Sequence, residues 1–237
     1  MSVVHIPMSI PDRPMNRIIT STVIARTTAL LPQHGIAVRD YLHAGLRDRL
    51  RDMPAVAPGP THRSQRPLYF GAPEFRRVGQ LLDIGGGPGF VASLLKEENP
   101  RIKITIFDLP PVCDFALNIF RESGQDHDLG AHPGDFFRDP YPSGFRAMQY
   151  SHVLEFLPPI QAQRLLKKAF AALPARGKLF IYGSTSNIPS ERYRMGAENC
   201  AHFHCADQYA RWLHETGFSS ITRRQNDDGR VFLAAVK

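Results

Sequence analysis

The spacing of apolar residues changes near residue 68 and divides the chain in two. From Ile36 to Met53, Val38, Leu42, Leu46, Leu50 and Met53 recur at helical spacing, with Arg39, Arg47, Arg49 and Arg51 among the polar positions. This pattern predicts an amphipathic helix that needs a partner surface. Residues 54–67 carry four prolines and read as a linker. From about residue 68, short apolar and β-branched runs alternate with helical ones. The pattern predicts strands over 80–84, 102–107, 129–132, 147–151 and 178–182. It predicts helices over 90–98, 111–123, 160–173 and 206–216, with Asn99-Pro100, Gly124 and Gly217 as stops. Residues 219–224 and 231–236 flank Asn226-Asp227-Asp228-Gly229 and read as an antiparallel hairpin. The expected class is α/β, with a Rossmann-like seven-stranded sheet, helices on both faces and an antiparallel C-terminal hairpin. Residues 1–67 form a short helical N-terminal extension with its linker, and residues 68–237 the main domain.

The densest chemical signal is Leu81-Leu82-Asp83-Ile84-Gly85-Gly86-Gly87-Pro88-Gly89, a strand running into a glycine turn that opens a helix. In an open α/β sheet this order builds a ligand crevice at the carboxyl end of the first strand. The spacing Gly85-x-Gly87-x-Gly89 departs from the G-x-G-x-x-G of dinucleotide sites. Asp83, just before the first glycine, would repel a pyrophosphate but could meet a cationic ligand. S-adenosylmethionine, which carries an ammonium and a sulfonium and no phosphate, fits that charge. Asp108 ends the second strand about 20 residues past the loop, where a carboxylate can accept both ribose hydroxyls. The competing role for Asp108 is a helix cap before Pro110 and Pro111.

Composition narrows the context. The chain has 237 residues, 43% of them apolar, which suits one α/β domain plus an appendage. Its three cysteines, Cys113, Cys200 and Cys205, imply no disulfide framework. No run has signal-peptide or membrane-span character, so a cytoplasmic protein is expected. The net charge of +7 is spread along the chain without a basic run interleaved with aromatics. It reads as a solvated basic surface more than a nucleic-acid footprint.

The segments LLDIGGGPG (81–89), ITIFDLPPV (104–112), GDFFRDPYP (134–142), SHVLEF (151–156), ALPARGKLFIYG (172–183) and QYARWLHETGF (208–218) occur in one order with characteristic gaps. From about residue 80 onward the chain resembles class I S-adenosylmethionine-dependent methyltransferases. More closely, it resembles the small-molecule O-methyltransferase family of plant phenolic and bacterial natural-product pathways. The resemblance implies that Gly85, Gly87 and Gly89 wrap the methionine part of the cofactor and that Asp108, with Leu109 beside it, holds the ribose. It implies that Asp135, after Gly134, accepts from the adenine amino group and that Phe136 packs on the ring. Asp135 as a turn residue and Phe136 as core are the alternatives. Ser151 and His152 would lie near the methyl donor.

Two departures from the family pattern concern catalysis. The family's general base is a histidine at the position of Glu155, and its orienting glutamate falls at Gly183. Glu155 or His152 would then deprotonate or orient the acceptor, each with a structural role as the alternative. The stretch Cys200-Ala201-His202-Phe203-His204-Cys205 invites a metal reading, but its spacing matches no usual structural-zinc pattern and no metal is expected. The family uses the stretch to line the acceptor pocket, so His202 or His204 would contact substrate, with packing as the alternative. The family also carries a larger N-terminal dimerisation domain. Either the acceptor pocket is more open here, or a homodimer or a partner subunit closes it, with the helix at 36–53 as lid or contact.

The expected activity is S-adenosylmethionine-dependent methylation of a small aromatic or polyketide-like acceptor, at oxygen first and at carbon or nitrogen as alternatives. A second reading keeps the cofactor as an electrostatic prop for a cyclisation or decarboxylation, or makes the chain a noncatalytic subunit. A nucleic-acid or protein methyltransferase is disfavoured, because strand four ends in Tyr-Ser-His-Val-Leu and not in an Asn-Pro-Pro-Tyr type of motif.

Overall fold

The structure is a computed structural model that describes residues 66–185, 204–226 and 229–237. The amphipathic helix expected at 36–53, most of the proline-rich linker, and Cys200 and His202 lie outside the described residues. The strands are β1 (Gln80–Ile84), β2 (Lys103–Asp108), β3 (Leu129–Pro133), β4 (Ala147–Ser151), β5 (Lys178–Ser184), β6 (Ser219–Gln225) and β7 (Arg230–Val236). The helices are α1 (Phe90–Glu98), α2 (Pro110–Glu122), α3 (Pro159–Ala172) and α4 (Ala206–Thr216). The strands form one sheet in the order β3-β2-β1-β4-β5-β7-β6. The first five are parallel, and β7 runs antiparallel to both β5 and β6.

Each face of the sheet has its own apolar layer. Leu81, Ile104, Ile106, Phe180 and Phe232 pack with Ala92 and Leu95 of α1 and Phe115, Ala116, Ile119 and Phe120 of α2. Leu82, Ile84, Met148, Tyr150, Ile181 and Leu233 pack with Leu165 and Leu166 of α3 and Tyr209, Trp212 and Leu213 of α4. Alternate residues of each strand thus serve opposite layers, as the two-residue period of a strand requires. The seven strands and the helices on both faces are those expected from the sequence.

Element boundaries differ in instructive places. The sequence pattern ends β5 at Tyr182. The strand instead continues to Ser184, since Gly183 pairs with Val231 and Ser184 with Arg230 of β7. Helices α2 and α3 begin one residue early, with prolines in their first turns where no donor is needed. The apolar pattern also missed a π-helical turn, Arg66–Phe70, and a 3-10 turn, Pro73–Arg77. Tyr69, Phe70 and Phe75 are buried against the sheet, and the Tyr69 ring stacks on Tyr182 at 4.2 Å between centroids. Glu74 reaches the far edge of the sheet and pairs with Arg224 of β6.

Gly89 shows why the loop before α1 needs glycine. It caps the helix at φ +88°, and a Cβ there would lie 2.4 Å from the Phe120 ring. Gly89→Ala combines a left-handed backbone penalty with overpacking. We expect it to lower unfolding free energy by about 2–4 kcal/mol in urea denaturation. An effect below about 0.5 kcal/mol, the range of ordinary surface changes, would contradict this account.

Candidate functional site

Five parallel strands point their carboxyl ends to one edge of the sheet. Chain order reverses between β1 and β4, and the crevice at such a switch point is where open α/β sheets bind ligands. β1 delivers the Gly85–Gly89 loop there, and β2 delivers Asp108 and Leu109. Gly134, Asp135 and Phe136 follow β3, Ser151 and His152 lie at the end of β4, and Gly183 lies near the end of β5.

Asp108 is 3% exposed and braces the glycine loop. Its carboxylate accepts from the Gly87 amide at 2.9 Å and from the Leu109 amide at 2.8 Å. Burial pushes its carboxyl up to about 6, against the lowering effect of those two amides. Asp108 and Leu109 therefore stand in the position expected of them, with the carboxylate fixed to the glycine loop.

Asp83 is fully buried beneath Gly86, whose Cβ position lies 2.7 Å from Asp83 Oδ2. Neither carboxylate oxygen meets a donor in hydrogen-bonding geometry among the described residues. Burial pushes its carboxyl up to about 7, partly offset by the neighbouring Gln149 amide. Gln149 is the register partner of Asp83 on β4, and its Oε1 accepts from the Tyr69 hydroxyl at 2.5 Å. Tyr69 and Gln149 thus form a buried polar layer under the glycine loop. Sequence reasoning missed it. A tyrosine just after a proline-rich stretch and a glutamine inside an apolar strand were the available signals.

Phe136 and Val153 flank the loop from the other side. A Cβ at Gly85 would lie 2.8 Å from Val153 Cγ2 and 3.4 Å from Phe136 Cε1. Phe136 is half-buried, as a ring with a face left for a flat ligand would be. Asp135 holds its own turn, with Oδ1 accepting from the Phe137 amide at 2.8 Å and Oδ2 3.5 Å from Arg138 Nε. Lys168 of α3 donates to the Phe136 carbonyl at 2.7 Å and fixes this loop against the sheet.

His152 and Glu155 come together. His152 Nδ1 lies 2.9 Å from Glu155 Oε1, which also accepts from the Ser184 amide at 3.2 Å. The Glu155 side chain is 3% exposed and that of His152 30%. His152 has φ +55°, an uncommon backbone for a non-glycine residue, and its amide donates to the Tyr182 carbonyl at 2.8 Å. Ser151 is buried at the end of β4 beside this pair. His204 is placed in the packed layer under α4. Its Nε2 lies 2.9 Å from the Leu157 carbonyl, and its ring contacts Tyr209 and Trp212 edge-on.

The crevice therefore offers two buried carboxylates, a glycine loop and a half-buried aromatic ring to a ligand, with a histidine–carboxylate pair on the neighbouring strand ends. Asp83, whose oxygens meet no donor in hydrogen-bonding geometry among the described residues, suits a cationic group. Asp108 suits hydroxyl donors. These are the groups that the methionine and ribose parts of S-adenosylmethionine present.

Comparison with known proteins gives the family. Among curated relatives, the L-tyrosine C(3)-methyltransferase of Streptomyces lavendulae is 33% identical over 108 residues, 46% of this chain and 30% of that protein. The N,N-dimethyltransferase OxyT of Streptomyces rimosus is 36% identical over 104 residues, 44% of this chain and 30% of that protein. The 3-hydroxy-5-methyl-1-naphthoate 3-O-methyltransferase of Streptomyces sahachiroi is 33% identical over 104 residues, with the same coverage of 44% and 30%. The matched part is thus under a third of each relative's length. Among solved structures, the S-adenosylmethionine-dependent methyltransferase SibL aligns with a TM-score of 0.66 at 21% identity, covering 97% of this chain and 80% of SibL. Human N-acetylserotonin methyltransferase, solved with S-adenosylmethionine, aligns with a TM-score of 0.65 at 18% identity, covering 95% and 72%. These two likenesses concern the fold. The O-methyltransferase domain is matched over residues 69–205, more than half of the chain and the stretch that holds every strand end described above. The chain belongs to the O-methyltransferase domain family.

Proposed function

We propose that the protein is an S-adenosylmethionine-dependent methyltransferase acting on a small aromatic or polyketide-like acceptor, with oxygen as the methylated atom. The observation that carries the reading is Asp108 braced by the Gly87 and Leu109 amides at the switch point, with Asp83 beneath the same loop meeting no hydrogen-bond donor among the described residues. S-adenosylmethionine, when bound, supplies a methyl group already activated by its sulfonium. Asp83 would face its cationic end, Asp108 would accept the ribose hydroxyls, and Phe136 would pack on the adenine while Asp135 accepts from the amino group. The half-buried His152 would stand at the acceptor side, where alignment of nucleophile and methyl group dominates the rate.

Carbon or nitrogen transfer is the second reading, because similar proteins include a tyrosine C(3)-methyltransferase and an N,N-dimethyltransferase. Loss of both the family histidine and its glutamate would favour the reading of the cofactor as a prop. The His152–Glu155 pair weakens that ground. No helix among the described residues is long and apolar enough to cross a membrane. Closure of the acceptor side by a second copy or a partner subunit belongs to this proposal.

Titration calorimetry with S-adenosylmethionine and S-adenosylhomocysteine, followed by mass spectrometry on a panel of phenols including L-tyrosine and a hydroxynaphthoate, tests the reading. We expect micromolar binding of both ligands and a product heavier by about 14 Da, the mass of a methyl replacing a hydrogen. Absence of binding to either ligand would overturn it.

A further inference from the structure

Glu155 and Gly183 read as two separate losses along the sequence. In space they are one feature. A Cβ at Gly183 would fall 2.0 Å from Glu155 Oε2 and 2.9 Å from its Cδ. The Glu155 carboxylate therefore occupies the volume that any side chain at position 183 would fill. It arrives from the 3-10 turn Leu154–Phe156, crosses to the end of β5 and anchors on the Ser184 amide at 3.2 Å. From there Oε1 reaches His152 Nδ1 at 2.9 Å, three residues back along its own segment.

The receiving histidine is held by both its backbone and its ring. Its backbone sits at φ +55°, its amide is tied to the Tyr182 carbonyl, and its ring meets the Tyr182 ring edge-on at 5.0 Å between centroids. A left-handed histidine persists only where the surroundings over-determine it, and such positions cluster at functional sites. The carboxylate engages Nδ1, so Nε2 is the ring nitrogen that Glu155 does not use, on a side chain still 30% exposed.

Resting on the methyltransferase reading, we propose that His152 is the proton acceptor for the acceptor hydroxyl. Glu155 is its positioning residue, and Gly183 supplies the space that lets the carboxylate reach it. In this scheme the acceptor O–H bond breaks, its proton passes to His152 Nε2, and the oxygen's electron pair bonds the methyl group as the carbon–sulfur bond breaks, its pair returning to sulfur and S-adenosylhomocysteine leaving. The imidazolium then returns the proton to solvent. Glu155 holds Nδ1–H and so keeps Nε2 as the free base, a division of labour set by the hydrogen bond at the other ring nitrogen.

The first test needs no acceptor. The full chain is labelled with ¹⁵N-histidine, bound to S-adenosylhomocysteine and observed by two-bond proton–nitrogen correlation at alkaline pH, where imidazole is neutral. His152→Gln identifies the signal. We expect the Nδ1–H tautomer in the wild type and a mixed or reversed tautomer in Glu155→Ala. Gly183→Ala should displace the carboxylate and change the tautomer as Glu155→Ala does, yet change nothing further when added to Glu155→Ala. Glu155→Gln, whose amide oxygen can still accept from Nδ1–H and from Ser184, should restore the tautomer and guards against a folding defect in the alanine variant. An Nε2–H tautomer in the wild type, or a Gly183→Ala spectrum identical to wild type, would overturn the proposal.

With a phenol methylated in the mass-spectrometric panel, His152→Ala and Glu155→Ala should each lower kcat about 100-fold, the usual span of general-base catalysis. S-adenosylmethionine affinity should stay within about two-fold of wild type, since neither side chain holds the cofactor in this scheme. Full activity in His152→Ala with normal cofactor binding would reject the base and leave the methyltransferase reading standing. Loss of cofactor binding in the wild type would reject both.

Discussion

Asp108→Ala is expected to weaken S-adenosylmethionine binding by about 100-fold or more while the protein stays folded. Two terms add. The ribose hydroxyls lose a charged acceptor, and hydrogen bonds to charged groups contribute about 1.5–3 kcal/mol each. The Gly87 and Leu109 amides, now tied to this carboxylate at 2.9 and 2.8 Å, lose their acceptor as well, so the glycine loop is no longer held in its binding shape. The fold should survive, because an alanine removes a buried carboxylate whose own ionisation is opposed by burial. Calorimetry with S-adenosylhomocysteine, beside circular dichroism on the same sample, separates the two effects. Binding within five-fold of wild type would remove Asp108 from the cofactor site.

Asp83 leads to a pH dependence of unusual sign. Its carboxyl rises from an ordinary 3.8 to about 7, chiefly through burial. Between these values the folded chain holds a proton that the unfolded chain has released. Stability therefore falls as pH rises through the window, the reverse of a salt-bridged aspartate. The full shift would correspond to roughly 4 kcal/mol, and relaxation of the loop makes about 2 kcal/mol a more realistic reading. Asp108, raised to about 6, acts in the same direction. Urea denaturation of the ligand-free protein should show unfolding free energy declining between about pH 4 and pH 7, and Asp83→Asn should remove about half of the decline, the rest belonging to Asp108. A cationic ligand reverses the cost, because it favours the charged carboxylate. Near pH 6, S-adenosylmethionine binding should therefore release protons, seen as a dependence of calorimetric heat on buffer ionisation enthalpy. Equal slopes for wild type and Asp83→Asn would show that Asp83 is not the group responsible.

The fold was largely legible because its signals are local. The β1 strand and the α1 helix end where glycine and Asn99-Pro100 say they should, and the two-layer pattern of alternate residues can be read along each strand. The site was legible where one residue type has one use, as with the glycine loop and the acidic residue that follows it. The Tyr69 turn was hidden because π-helical and 3-10 turns have no clear apolar period. The end of β5 was hidden because its partner, β7, lies some 50 residues further along. Glu155 and Gly183 are 28 residues apart and look like unrelated departures until the backbone brings a carboxylate into the space of a missing side chain. His204 sits in an aromatic layer that only tertiary packing defines.

The strand order also sets when the site can exist. β5, which carries Gly183 and the Ser184 amide, takes its second neighbour from β7, and that strand comes after both α4 and β6 in the chain. During synthesis or refolding β5 remains an open edge until residues 230–236 insert between it and β6. Such an insertion closes a long loop and is slow relative to hairpin formation. The exposed edge, with Phe180 and Ile181 beside it, is then the part of the molecule most open to pairing with another chain. The contact of Asp108 with the glycine loop needs only β1 and β2, whereas the Ser184 amide that holds Glu155 is placed by β5 and its late partner β7.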